Sequence, residues 1–247
     1  MSPNILSIYA DERELRTAVT QIAQNLEEVN RRLAAAARRA GRDPGEVRLV
    51  AVSKKVDLDR LGQAVAAGQR IFGENYLQEA KGKIAALGPG LSWHLVGSLQ
   101  TNKARGAVEL FDLIQAVDRL KLAQALDQAA ARLGKVQEVL LQVNLAGEET
   151  KSGAAPEEVP ELLEEVVRLP HLRVQGLMTM PPWLDDPEAV RPYFRALREL
   201  RDRLRRLVGL PLPELSMGMS GDYETAVAEG ATLVRVGTAI FGARPGP

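Results

Sequence analysis

Apolar residues recur at steps of three and four early in the chain. Leu15, Val19, Ile22, Leu26, Val29 and Leu33 fall on one stripe, the spacing of an amphipathic helix. The pattern predicts a helix over residues 11–40, ended by Gly41 and Pro44. From Arg48 onward the period changes. Short apolar runs predict strands at Leu49–Ser53, Arg70–Gly73, Trp93–Gly97, Leu113–Val117, Glu138–Asn144, Val174–Met180, Glu214–Met217 and Leu233–Gly237. Between them, helical patterning covers Leu58–Ala67, Tyr76–Ala86, Lys103–Val108, Leu120–Leu133, Pro156–Arg168, Pro187–Val208 and Asp222–Glu229. Most of the strand runs are continuously apolar, as strands covered on both faces are.

Eight strands with interleaved helices fit a closed parallel barrel or an open doubly wound sheet. No G-x-G-x-x-G follows the first strand, which argues against a dinucleotide-binding sheet. The 247 residues match the roughly 250 of an α/β barrel. No linker or low-complexity tract divides the chain. The expected fold class is therefore α/β: a single (β/α)₈ TIM barrel over residues 1–247, with the N-terminal helix packed outside it.

Composition narrows the chemistry. Lys and Arg number 32, as do Asp and Glu, so no general field draws the chain to nucleic acid or to an anionic membrane. The absence of cysteine excludes thiolate catalysis, disulfides and Cys-based metal sites. Met1–Ala10 lacks the basic and apolar segments of a secretory leader, and no run approaches the 18 or so apolar residues of a membrane span. A cytoplasmic protein is expected.

In a barrel, chemistry gathers where strands end and βα loops begin. The first strand ends in Ser53-Lys54-Lys55, where a desolvated lysine becomes nucleophilic enough to form a Schiff base; a pair of solvated loop lysines is the plainer alternative. After the second strand, Asn75 either caps the next helix or bonds a ligand. His94 lies in an apolar strand, where a satisfied core histidine is more common than a catalyst. His171 follows Pro170 without a partner pattern, and the two histidines make no metal site. Met178 and Met180 suit core or pocket wall. The loops after strands seven and eight carry Ser220, Gly221, Gly237 and Thr238, whose hydroxyls and glycine-exposed N–H groups suit a phosphate, although Ser220 or Asp222 serves equally as a cap. Arg235, on the last strand, needs an acceptor inside the barrel because a guanidinium stays charged. Lysine, phosphate loops and arginine together fit a pyridoxal 5′-phosphate (PLP) site. A barrel binding another phosphorylated metabolite without a covalent bond remains an alternative.

The segments Leu49-Val50-Ala51-Val52-Ser53-Lys54, Phe72-Gly73-Glu74-Asn75-Tyr76, Trp93-His94, Gly97 with Leu99-Gln100 and Asn102-Lys103, Lys151-Ser152-Gly153, Gly176-Leu177-Met178-Thr179-Met180, Leu215-Ser216-Met217-Gly218-Met219-Ser220 and Val234-Arg235-Val236-Gly237-Thr238-Ala239-Ile240-Phe241-Gly242 resemble, in order, the YggS/PROSC family of pyridoxal-phosphate homeostasis proteins. That family is similar in fold to the barrel domain of alanine racemase and of eukaryotic-type ornithine decarboxylase. The resemblance implies Lys54 as the Schiff-base residue, Ser220, Gly237 and Thr238 around the phosphate, Arg235 near the pyridine nitrogen, and Asn75 and Met217 beside the ring. Ser98 departs from the bulkier residue expected between Gly97 and Leu99. The implied function is a non-catalytic carrier or buffer in intracellular PLP homeostasis, with apo PLP-dependent enzymes as partners; with no second domain expected, a monomer is the expected state. An amino-acid racemase or decarboxylase is the alternative. Against it, the chain stops at Pro247, nine residues after Thr238, with no second domain expected to supply another acid/base group.

Overall fold

The computed structural model describes residues 5–148, 152–182 and 184–243, with side chains described from residue 21. The chain runs α1 (Ile5–Arg39), β1 (Arg48–Val52), α2 (Leu58–Ala66), β2 (Ile71–Glu74), α3 (Leu77–Leu87), β3 (Ser92–Leu95), α4 (Ala104–Leu110), β4 (Leu113–Val117), α5 (Leu120–Arg132) and β5 (Gln137–Val143). It continues α6 (Val159–Val166), β6 (Leu172–Thr179), α7 (Arg191–Val208), β7 (Glu214–Ser216), α8 (Tyr223–Ala228), β8 (Leu233–Val236) and α9 (Thr238–Phe241). The eight strands pair in sequence order, all in parallel, and β1 closes on β8. The fold is the expected TIM barrel with an added N-terminal helix.

The continuous apolar strands bury two faces. One set of side chains joins the helices in the outer core, including Phe72, Trp93, Leu141, Leu177 and Val234. The alternate set fills the barrel: Val50, Leu113, Leu140, Met178 and Leu233 form a separate buried cluster. This apolar plug makes the barrel a packed core rather than a pore. Polar inward residues lie further along the strands, toward the βα loops.

Helix α1 begins at Ile5, before the predicted residue 11, and packs against α8, α2 and α9. Ile22, Leu26, Val29 and Leu33 are buried as the stripe requires, each contributing roughly 1.5–3 kcal/mol. The side chains of Leu15 and Val19 lie outside the described residues. The helix ends at Gly41, whose φ of 70° allows Arg42 N–H to reach back to Ala37 O at 2.9 Å, a glycine-dependent helix stop. Asn25 Nδ2 then donates to Ile240 O at 2.8 Å, and Arg42 Nη1 donates to Val227 O and Ala231 O. Because α8 and α9 are short, α1 supplies the missing cover where the barrel closes.

Several element ends differ from the sequence reading. Strand β3 stops at Leu95 rather than Gly97, and at Gly97 the chain passes directly over Asn75. Strand β2 gains Glu74 and β6 starts at Leu172. The helix expected from Pro156 begins at Val159, with Pro160 in its first turn, where the missing N–H costs nothing. The stretch from Pro187 divides into a 3₁₀ turn, Pro187–Val190, and α7. The helix expected over Lys103–Val108 is α4, Ala104–Leu110, preceded by a 3₁₀ turn at Thr101–Lys103. The short α9 was not anticipated.

Candidate functional site

A cavity of about 240 Å³ opens at the C-terminal ends of the strands. Lys54 enters it from the β1–α2 loop, Asn75 from the end of β2, Arg235 from β8, and Ser220, Gly221, Gly237 and Thr238 from the loops after β7 and β8. Its apolar wall is Val52, Val96, Met180 and Met219. The structure thus brings together six of the seven residues that the resemblance assigned to the cofactor. Met217 is the exception: it is fully buried in the outer core and is absent from the cavity lining. Strand alternation explains the difference. Ser216 points into the barrel, so its neighbour points toward the helices.

Arg235 is held inside the barrel, with Nη1 donating to Ser216 Oγ at 2.6 Å and Nη2 to Thr179 O at 2.7 Å. Burial lowers its pKa to about 10, opposed by the charge of Asp222, so it remains a cation at neutral pH. The other guanidinium N–H groups remain for an acceptor in the cavity. Ser216 Oγ donates to Gln115 Oε1 at 2.6 Å, and Gln115 Nε2 lies 3.1 Å from His94 Nδ1. His94 is 5% exposed, and burial lowers its pKa to about 4, with Arg48 adding to the effect. It is a neutral, satisfied interior residue and does not line the cavity.

Two loops form the other end. Ser220 Oγ accepts from Ala239 N–H at 3.3 Å, joining them. The backbone bonds closing these turns run from Asp222 and Tyr223 to Met219 O, and from Ile240 and Phe241 to Gly237 O. They use none of the N–H groups of Ser220, Gly221 and Thr238. Asp222 does not cap α8 with its side chain; its Oδ1 accepts Met219 N–H at 2.6 Å, and burial raises its pKa. Nor does Asn75 cap α3, which starts after Tyr76 without a side-chain cap. Across the mouth, Ser98 Oγ and Ser152 Oγ lie 2.7 Å apart. Lys151 lies outside the described residues.

A larger cleft of about 480 Å³ lies outside the barrel beside α1 and α8, and shares Ser220 and Gly221. Its arginines are spent on carboxylates: Arg32 and Arg39 pair with Glu224, and Arg191 with Glu188. It contains no lysine. His171 sits on the surface side with Asp127. Among the described residues no group of three or more His, Cys, Asp or Glu side chains is placed to hold a metal ion, and no helix is long and apolar enough to cross a membrane.

Val52, Val96 and Met219 were not read as site residues from the sequence. No sequence signal separates them from core residues: Val52 is the last residue of β1, and Lys54 already lies in the loop beyond it.

The family model described as alanine racemase, N-terminal domain, matches residues 24–245. The pyridoxal phosphate homeostasis protein of Pseudomonas aeruginosa is 50% identical over 228 residues, covering 92% of this chain and 97% of the relative. That of Aquifex aeolicus is 46% identical over 222 residues, covering 90% and 97%. Among solved structures, PipY of Synechococcus elongatus with PLP bound is 41% identical. It superposes with a TM-score of 0.80 over 90% of this chain and 100% of PipY.

Proposed function

The chain belongs to the family of pyridoxal phosphate homeostasis proteins, built on the alanine racemase N-terminal domain, and on that premise we propose that it holds PLP as a Schiff base on Lys54 and serves as a carrier or buffer of the cofactor rather than as an enzyme. The observation that carries this reading is the convergence of Lys54, Arg235 and the two glycine-containing loops on one cavity.

The residues fit the group. Lys54 would hold the group through its amine, and the bound aldehyde would supply the carbonyl chemistry of a Schiff base, with water as the leaving group. The hydroxyls of Ser220 and Thr238, with the N–H groups that the turns leave uncommitted, grip the phosphate. Asn75 and Arg235 would hold the ring, with Arg235 as the donor available to its nitrogen. Met217 packs away from the ring and is not part of this set.

Two features favour a carrier. A guanidinium donates a hydrogen bond to the pyridine nitrogen without giving up its proton, so the ring remains a weak electron sink. The described cavity lining contains two ionisable side chains, Lys54 and Arg235, whereas racemisation needs proton donors on both faces of a carbanion. The reading extends to a monomer acting in the cytoplasm, with apo PLP-dependent enzymes as recipients.

Titration with PLP, followed by turnover and transfer assays, tests the proposal. Expected are a Schiff-base absorbance saturating at one cofactor per chain, no turnover across the common amino acids, and reactivation of an apo-enzyme by loaded protein. Catalytic racemisation or decarboxylation would overturn the carrier reading and favour the enzyme alternative.

A further inference from the structure

A second network, outside the cavity, grips the backbone on both sides of Lys54. Lys83, on α3, is 6% exposed. Its Nζ donates to Ser53 O at 2.6 Å, Glu74 Oε1 at 2.7 Å and Glu79 Oε1 at 2.5 Å, which uses every proton of the ammonium. Glu79 Oε1 also accepts the N–H of Lys55 at 2.5 Å, and Ser53 Oγ donates to Glu74 Oε1 at 2.6 Å. The carbonyl preceding Lys54 and the amide following it are thereby tied to two side chains one helical turn apart on α3.

The turn needs such a hold. Lys55 has φ 61°, a left-handed conformation that costs a non-glycine residue on the order of 1 kcal/mol or more and persists where surrounding contacts over-determine it. Stability alone is a poor reason for the network, because a buried ion pair often does no better than apolar packing. Its geometry does what apolar packing would not. It fixes both peptide groups that flank Lys54, and so sets the height and direction from which that side chain enters the cavity.

We propose that Lys83 and Glu79 are positioning residues for the Lys54 amine, a buried clamp on Ser53 and Lys55 that governs covalent capture of an aldehyde but not the grip on its phosphate. The inference rests on the reading of Lys54 as the capturing residue. The phosphate loops belong to β7 and β8, whereas the clamp belongs to β1, β2 and α3, so the two functions separate by experiment.

The test compares PLP with 4′-deoxypyridoxine 5′-phosphate, which keeps ring and phosphate but has no aldehyde. Glu79→Ala and Lys83→Met are each expected to weaken PLP binding roughly tenfold, as for loss of a charge-assisted hydrogen bond. Affinity for the analogue should stay within about twofold on the same scale. Glu79→Gln retains an oxygen for Lys55 N–H and Lys83 Nζ and should restore most of the PLP affinity. Lys83→Met leaves Glu74 buried without its cation, so the Glu79 pair decides the question if that variant fails to fold. Equal losses for both ligands, or no loss for PLP, overturn the clamp while wild-type protein still shows the Schiff-base absorbance. Wild-type protein lacking that absorbance overturns the parent reading, and the clamp with it.

Discussion

Arg235 and Ser216 meet inside the barrel, Nη1 to Oγ at 2.6 Å, and the serine passes the contact on by donating to Gln115 Oε1 at 2.6 Å. Ser216→Ala strips a partner from each neighbour. A buried donor or acceptor left unmade costs about 1–3 kcal/mol. Urea denaturation should show a loss of that size, with weaker PLP binding as the guanidinium loses its anchor. Unchanged stability would mean that water or a rotated Gln115 replaces the hydroxyl.

Acid should act through His94 at the far end of the same chain. Its pKa falls from 6.5 to about 4 on folding, chiefly from burial. The unfolded chain therefore binds more protons between those values. Stability contributed by the neutral imidazole is complete above pH 6.5 and is lost as pH falls toward 4. The total is roughly 3 kcal/mol at 1.36 kcal/mol per pH unit. Denaturation midpoints of His94→Gln, measured from pH 7 to 4, should fall less steeply than those of the wild type. Parallel curves would show that His94 titrates normally.

Thr238→Ala removes one phosphate donor. PLP affinity should fall by about 1.5–3 kcal/mol, the range for a hydrogen bond to a charged group, while affinity for unphosphorylated pyridoxal should hardly change. Equal affinities of variant and wild type for PLP would count against the loop after β8 as the phosphate site.

Gly97→Ala probes the mouth from the β3 side. A Cβ there would meet Asn75 Cα and O at 2.7 Å, and backbone cannot swing aside as a side chain does. The overpacking should cost on the order of 1–3 kcal/mol and displace Asn75 from the ring, so thermal stability and PLP affinity should drop together. An alanine variant with wild-type affinity would remove Asn75 from the site.

Much of this was legible in the sequence because a parallel barrel leaves strong marks. Runs such as Leu113–Val117, apolar but for Gln115, are buried along their whole length because both faces are covered. Lys54 and Arg235 stand out because charge at the end of such a run, or within it, has to be accommodated. Met217 entered through the resemblance alone, and the pleat, with Ser216 pointing inward, turns it toward the helices instead. Val52, Val96 and Met219 escaped notice because an apolar pocket wall has the composition of a core. The clamp was invisible for another reason. Lys83 and Ser53 are 30 residues apart, and neither carries a local pattern that announces the other.

The central claim is covalent capture by one amine, and borohydride reduction of PLP-saturated protein followed by peptide mass spectrometry tests it most directly. The account predicts a pyridoxyl adduct on the peptide bearing Lys54, located on that residue by fragmentation and lost in Lys54→Ala. An adduct confined to Lys55, or fully saturated protein that carries none after reduction, would contradict it.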